Sequence, residues 1–75
     1  MATLDITATG LQIKALLKEK KIKVKDIAEK LGFASAYPVY KWMNGQTMPT
    51  LDNLVMLVDL LDVKVDELLV VKKPA

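Results

Sequence analysis

Two short runs constrain this chain more than anything else in it: Ile27-Ala28-Glu29-Lys30-Leu31-Gly32-Phe33 and Val39-Tyr40-Lys41-Trp42-Met43-Asn44-Gly45. In the first, Ile27, Ala28 and Leu31 recur at a spacing that puts apolar side chains on one face of a helix. Gly32 suits the left-handed residue that ends such a helix. The second run keeps Val39 and Trp42 for the core and stops at Asn44-Gly45. Together they read as two short helices joined by a glycine-centred turn, an arrangement that can set one helix edge-on in the major groove of DNA.

The composition removes most other chemistry. The chain has no cysteine and no histidine, so the commonest general base and the commonest zinc ligands are both missing. No metal site, cofactor or catalytic group is expected. Asp59, Asp62, Asp66 and Glu67 form an acidic group late in the chain, without the spacing of a calcium loop. No apolar run approaches the roughly 18 residues that span a bilayer, and Met1-Ala2-Thr3-Leu4-Asp5 lacks the basic start of a secretory signal. The expectation is a soluble, cytoplasmic protein.

Charge is unevenly placed. Residues 1–45 carry eight lysines against four acids, a balance of +4, and residues 46–75 carry three against five, a balance of −2. The half with the two-helix pattern is therefore the half suited to a polyanion, although a solvated lysine-rich surface accounts for the same asymmetry. All eleven basic residues are lysine. Without arginine, the bidentate fork to guanine is unavailable, and any guanine contact rests on a flexible point charge or on DNA shape.

The remaining elements follow from caps and periodicity. Leu4-Asp5-Ile6-Thr7 alternates like a short strand or arm. Thr9 is the expected N-cap of a first helix over about 10–20, with Leu11, Ile13, Leu16 and Leu17 mostly on one side. The second helix spans about 24–31 and has Lys23 where a capping hydroxyl is expected. Ser35 is the expected N-cap of the third, which runs to about 44 and holds Pro38 in its first turn, where a missing N–H costs little. Thr50 caps a fourth helix over 51–61, with a stripe of Leu54, Leu57, Val58 and Leu61. A fifth covers 65–69. Val70 to Lys73 is strand-like, and Pro74-Ala75 is a tail. The two strand-like ends could pair within one chain or between chains.

In this order the landmarks resemble the lambda-repressor-like, Cro-type (XRE) helix-turn-helix family. They are Ile27 to Gly32, Val39 to Gly45, Pro49-Thr50-Leu51-Asp52-Asn53-Leu54 and Val63 to Leu69, and the resemblance covers about four-fifths of the chain. It implies an all-α, compact five-helix bundle forming a single domain over 1–75, with an arm or strand at 1–8, a core at 9–69 and a strand or tail at 70–75. It also implies sequence-specific binding of double-stranded DNA as a homodimeric bacterial or phage regulator, a repressor, with a recognition helix at 35–44. The segment between Gly32 and Trp42 is one residue longer than the usual family spacing, as in a subset of the family.

Carried over residue by residue, the resemblance places Ala36, Tyr37 and Lys41 at the base-reading positions of the recognition helix, with Ser35 at its start also among the DNA-binding residues. Ala36 offers only a methyl group there. Tyr40 falls beside the DNA backbone or over the core edge. Asn44, Gln46 and Thr47 fall in a loop that approaches phosphates with side-chain amides and backbone N–H groups. Lys23 and Lys25 lie near the start of the second helix, also within reach of phosphate. Ordinary surface roles account for each of these residues too. The rival reading is a protein-interaction module, such as a toxin-neutralising antitoxin or a phage accessory protein.

Overall fold

The computed structural model describes residues 2–73, so Met1 and the tail expected at Pro74-Ala75 lie outside the described residues. Within them the chain runs β1 (Thr3–Leu4), α1 (Ile6–Glu19), α2 (Val24–Lys30), α3 (Tyr37–Met43), α4 (Leu51–Leu61), α5 (Val65–Leu68) and β2 (Val71–Lys72). The expected fold class is found: five helices around one apolar core, with a small antiparallel ribbon in which Thr3 pairs with Lys72 and Leu4 with Val71. The ribbon closes within the chain.

The first helix starts earlier than the sequence suggests. Its N-cap is Asp5, whose carboxylate accepts from the Ala8 N–H at 2.9 Å, an ordinary capping bond. Ile6 and Thr7 are therefore helical, and the strand shrinks to Thr3–Leu4. Thr9, expected as the cap, is instead fully buried in the second turn. Its hydroxyl accepts from the Val70 N–H at 2.9 Å and donates to the Val70 carbonyl at 3.4 Å. The Asp5 N–H donates to the same carbonyl at 2.8 Å. These bonds latch the start of α1 to the approach to β2.

Gly10 sits inside α1 because α3 crosses there. A Cβ built on it would stand 2.3 Å from the Trp42 carbonyl oxygen and 2.8 Å from that of Met43. Only a residue without a side chain lets two backbones approach so closely.

The α2 helix lacks a side-chain cap, as Lys23 foretells. It ends at Lys30 rather than Leu31, and Gly32 takes the left-handed conformation that closes it, with φ +83°. The α3 helix begins one residue later than a Ser35 cap requires. Ala36 is its N-cap residue and makes no side-chain capping bond. Ser35 stays in the bend before the helix, where its Oγ accepts from the Tyr37 N–H at 3.3 Å. Pro38 thus falls in the first turn, where its missing N–H has no intrahelical partner to lose. Thr50 caps α4, accepting from the Asn53 N–H at 3.2 Å. The last helix stops at Leu68 rather than Leu69, and the final strand is confined to Val71–Lys72.

The core draws Ile13, Leu16 and Leu17 from α1, Ile27 and Ala28 from α2, Val39 and Trp42 from α3, Leu54, Leu57 and Leu61 from α4, and Leu68 from α5. Phe33, from the turn after α2, meets the Trp42 ring edge to face with centroids 5.7 Å apart, a favoured aromatic geometry. Trp42 and Val39 are core residues, as expected. They fix which face of α3 points inward and therefore which points out.

Candidate nucleic-acid interface

With Val39 and Trp42 buried, the 3.6-residue repeat turns Tyr37, Tyr40, Lys41 and Asn44 to the other side of α3. Tyr37 is 66% exposed and Tyr40 is 50% exposed. Asn44 is exposed, while Lys41 is half-buried. Lys41 lies one turn after Tyr37, and its Nζ is 5.4 Å from the centroid of the Tyr37 ring, within the range of a cation–π contact. The two residues predicted to share a face do so, and they touch.

At the other end of the turn, Lys25, Ser35 and Ala36 come together. They line a shallow depression of about 240 Å³ between α2 and the bend, with Ala28, Phe33 and Ala34 among its other walls. Ser35 is exposed, whereas Ala36 is half-buried and packs against the core. The Ala36 methyl is thus partly spent on the fold. Glu29 also lines this depression and opposes the charge of Lys25. Lys23 and Lys25 are both exposed at the start of α2.

The loop after α3 differs in one respect from the expectation that its backbone N–H groups face phosphate. Four consecutive amides are already bonded within the chain. Asn44 N–H donates to the Tyr40 carbonyl at 2.9 Å, Gly45 N–H to Trp42 at 3.1 Å, Gln46 N–H to Lys41 at 2.9 Å and Thr47 N–H to Lys41 at 3.5 Å. The exposed side chains of Asn44 and Gln46 remain outward, and Thr47 is half-buried. These four amides are thus turned into the chain, and Asn44 and Gln46 offer side chains instead.

Two glycines position α3; the packing role of Gly10 went unread in the sequence, whereas Gly45 was legible as a left-handed turn or close approach where the helix stops. Gly10 admits the Trp42 and Met43 carbonyls, and Gly45, at φ +74°, packs against Thr7, whose Cα would lie 2.9 Å from a Cβ built there. The first turns of α1 thereby brace the C-terminal end of α3. The one available signal was a glycine inside a helical repeat, which usually has a packing reason. Among the described residues no group of His, Cys, Asp or Glu is arranged to hold a metal ion, and no helix is long and apolar enough to cross a membrane.

Known proteins share this arrangement. A helix-turn-helix family profile matches residues 13–68. Among solved structures, the restriction-modification controller protein C.AhdI from Aeromonas hydrophila superposes with a TM-score of 0.76 at 25% identity, covering 85% of this chain and 91% of that one. The DNA-binding domain of BldD superposes with a TM-score of 0.72 at 26% identity, covering 87% and 93% respectively. No curated protein matches by sequence.

Proposed function

This chain belongs to the XRE-type helix-turn-helix family of DNA-binding transcription regulators, and on that premise we propose that it is a bacterial or phage repressor that binds a specific double-stranded operator as a homodimer. The observation that carries this reading is the outward face of α3. Tyr37, Lys41 and Asn44 follow one another at helical spacing on it, and the core residues behind it leave no other face free. In the major groove, Lys41 donates to guanine acceptors, Tyr37 and Tyr40 meet base edges or the backbone, and Asn44 and Gln46 reach phosphate. Lys23, Lys25, Ser35, Ala36 and Thr47 complete the contact surface. The chain works as one domain in the cytoplasm, and no catalytic step or cofactor enters the reading.

The homodimer draws its support from α4 and α5. Leu51 is 79% exposed and Val55 62%, one turn apart on α4, and Val65 at the start of α5 is 42% exposed. Apolar side chains so placed are suited to a second copy. The terminal strands satisfy each other within the chain, so dimer formation does not need them. The same apolar side chains would serve a different protein partner if the chain were an interaction module.

The test is selection from a random duplex library by the purified protein at low and at physiological salt. A two-fold-symmetric motif that survives physiological salt is expected, together with a log–log salt slope of about −0.9 per phosphate neutralised. Enrichment of no motif, or binding only at low salt, would refute sequence-specific regulation. Tight co-purification with a second protein would then favour the interaction module.

A further inference from the structure

We infer that Tyr37 is a positioning residue for Lys41: its ring holds the lysine ammonium in place, so that a lysine delivers the directional contact to guanine that arginine commonly makes. This rests on the DNA-reading function proposed above and deepens it.

The argument begins with what lysine lacks. An ammonium on a four-carbon stem is a compact point charge with free rotors, while a guanidinium carries a planar, preset fork. A chain whose basic residues are all lysine must fix a lysine by other means if it is to read a base by position. Here the means is adjacent. The Lys41 ammonium stands 5.4 Å from the Tyr37 ring centroid, and a cation is drawn to the electron-rich face of such a ring. Lys41 is half-buried although it lies on the outward side of α3, whereas Tyr37 is 66% exposed. The stem therefore lies along the protein surface and the ring screens it. One side of the ammonium faces the ring, which leaves its other donors for a partner.

The backbone that carries the ring is itself held. The Tyr37 N–H is held by the Ser35 hydroxyl at 3.3 Å. The order of restraint runs from the bend at Ser35, through the Tyr37 backbone and ring, to the Lys41 ammonium. Adjacent O6 and N7 acceptors on guanine are the base edge that a positioned ammonium recognises best.

The experiment compares the unaltered protein with Tyr37→Leu, which removes the ring, and Tyr37→Phe, which keeps the ring without its hydroxyl. Circular dichroism confirms that each folds. In the free proteins, the ring current should move the Lys41 ε-methylene protons upfield in the unaltered chain and in Tyr37→Phe, but not in Tyr37→Leu. On the selected duplex, preference for guanine over adenine at the Lys41-dependent position should fall about two- to five-fold in Tyr37→Leu, the span of an exposed cation–π contact. Tyr37→Phe should restore it, and Tyr37→Leu should change nothing further when added to Lys41→Ala.

Retention of full preference by Tyr37→Leu, or absence of the upfield shift in the unaltered protein, would overturn the inference alone. Equal loss in Tyr37→Phe and Tyr37→Leu would also overturn it, by making the hydroxyl rather than the ring responsible. If the unaltered protein prefers no sequence at all, the DNA-reading function fails and this inference with it.

Discussion

Replacing Gly10 by alanine sets two physical effects against each other with opposite signs. Gly10 lies inside α1. On helix propensity alone, alanine there stabilises by about 0.5–1 kcal/mol. The α3 crossing opposes this, because the new methyl would stand 2.3 Å from the Trp42 oxygen and 2.8 Å from the Met43 oxygen. Both obstacles are main-chain atoms, so no side-chain rotation relieves them. Restoring ordinary contact requires α1 and α3 to separate by about 1 Å, and a gap of that size forfeits a quarter to a half of the dispersion well at each contact it opens. Overpacking of this kind costs about 1–3 kcal/mol, and the upper end applies where backbone must move. Subtracting the propensity gain leaves a net loss of about 2 kcal/mol, or a melting temperature lower by about 8–16 °C in a domain of this size. Thermal denaturation by circular dichroism measures it. Emission from Trp42, the sole tryptophan, reports separately whether α3 has moved. Ala15→Gly, at an exposed position of the same helix, measures the propensity effect by itself. A melting temperature above that of the unaltered protein would show that the helix crossing tolerates a methyl, and would refute the reasoning.

Three further outcomes are expected. Thr9→Val keeps the shape but leaves the Val70 N–H without its 2.9 Å partner. It should cost about 1–3 kcal/mol in urea denaturation, with Thr9→Ser retaining most of the stability. Trp42→Ala removes a 4%-exposed ring and its edge-to-face contact with Phe33. The loss of about 3–5 kcal/mol is comparable with the whole stability of a 75-residue domain, about 4–11 kcal/mol, so heteronuclear NMR should show a largely unfolded chain. Val55→Glu puts a charge on the exposed α4 face and should shift sedimentation equilibrium from dimer to monomer without lowering helicity. An unchanged mass would remove α4 from the dimer interface.

The parts of the fold that were legible in the sequence are those fixed by local chemistry. Gly32 reads as a left-handed helix stop and is one, and Thr50 reads as a cap and makes the capping bond. Trp42 reads as core because a lone tryptophan at a helix junction is usually buried and its place resembles the family position that packs this helix; it and Val39 are buried. The start of α1 was misread for a tertiary reason. Gly10 looks like a boundary because glycine weakens a helix interior, and Thr9 looks like a cap because threonine often is one. Both are committed to partners far along the chain, Gly10 to α3 and Thr9 to Val70. No local pattern shows such partners. The site divides in the same way. The outward face of α3 was legible as a periodicity. The placement of Lys41 over the Tyr37 ring depends on side-chain torsions, and the engagement of the amides after α3 depends on how that helix unwinds.

The latch between Asp5, Thr9 and Val70 also bears on the order in which the chain assembles. Thr9 and Val70 are 61 residues apart, and closing a free loop of that length costs about 4 kcal/mol in chain entropy. Two short strands cannot offset such a cost alone. The helices must first pack and bring the ends together, after which the ribbon adds its bonds at little further entropic cost. Synthesis imposes the same sequence in time, because Thr9 is made 61 residues before its partner. The ribbon is thus expected to close after the helices pack and to open before they separate. Hydrogen exchange at the Val70 amide should report an opening far below the free energy that separates the core amides of α4 from solvent.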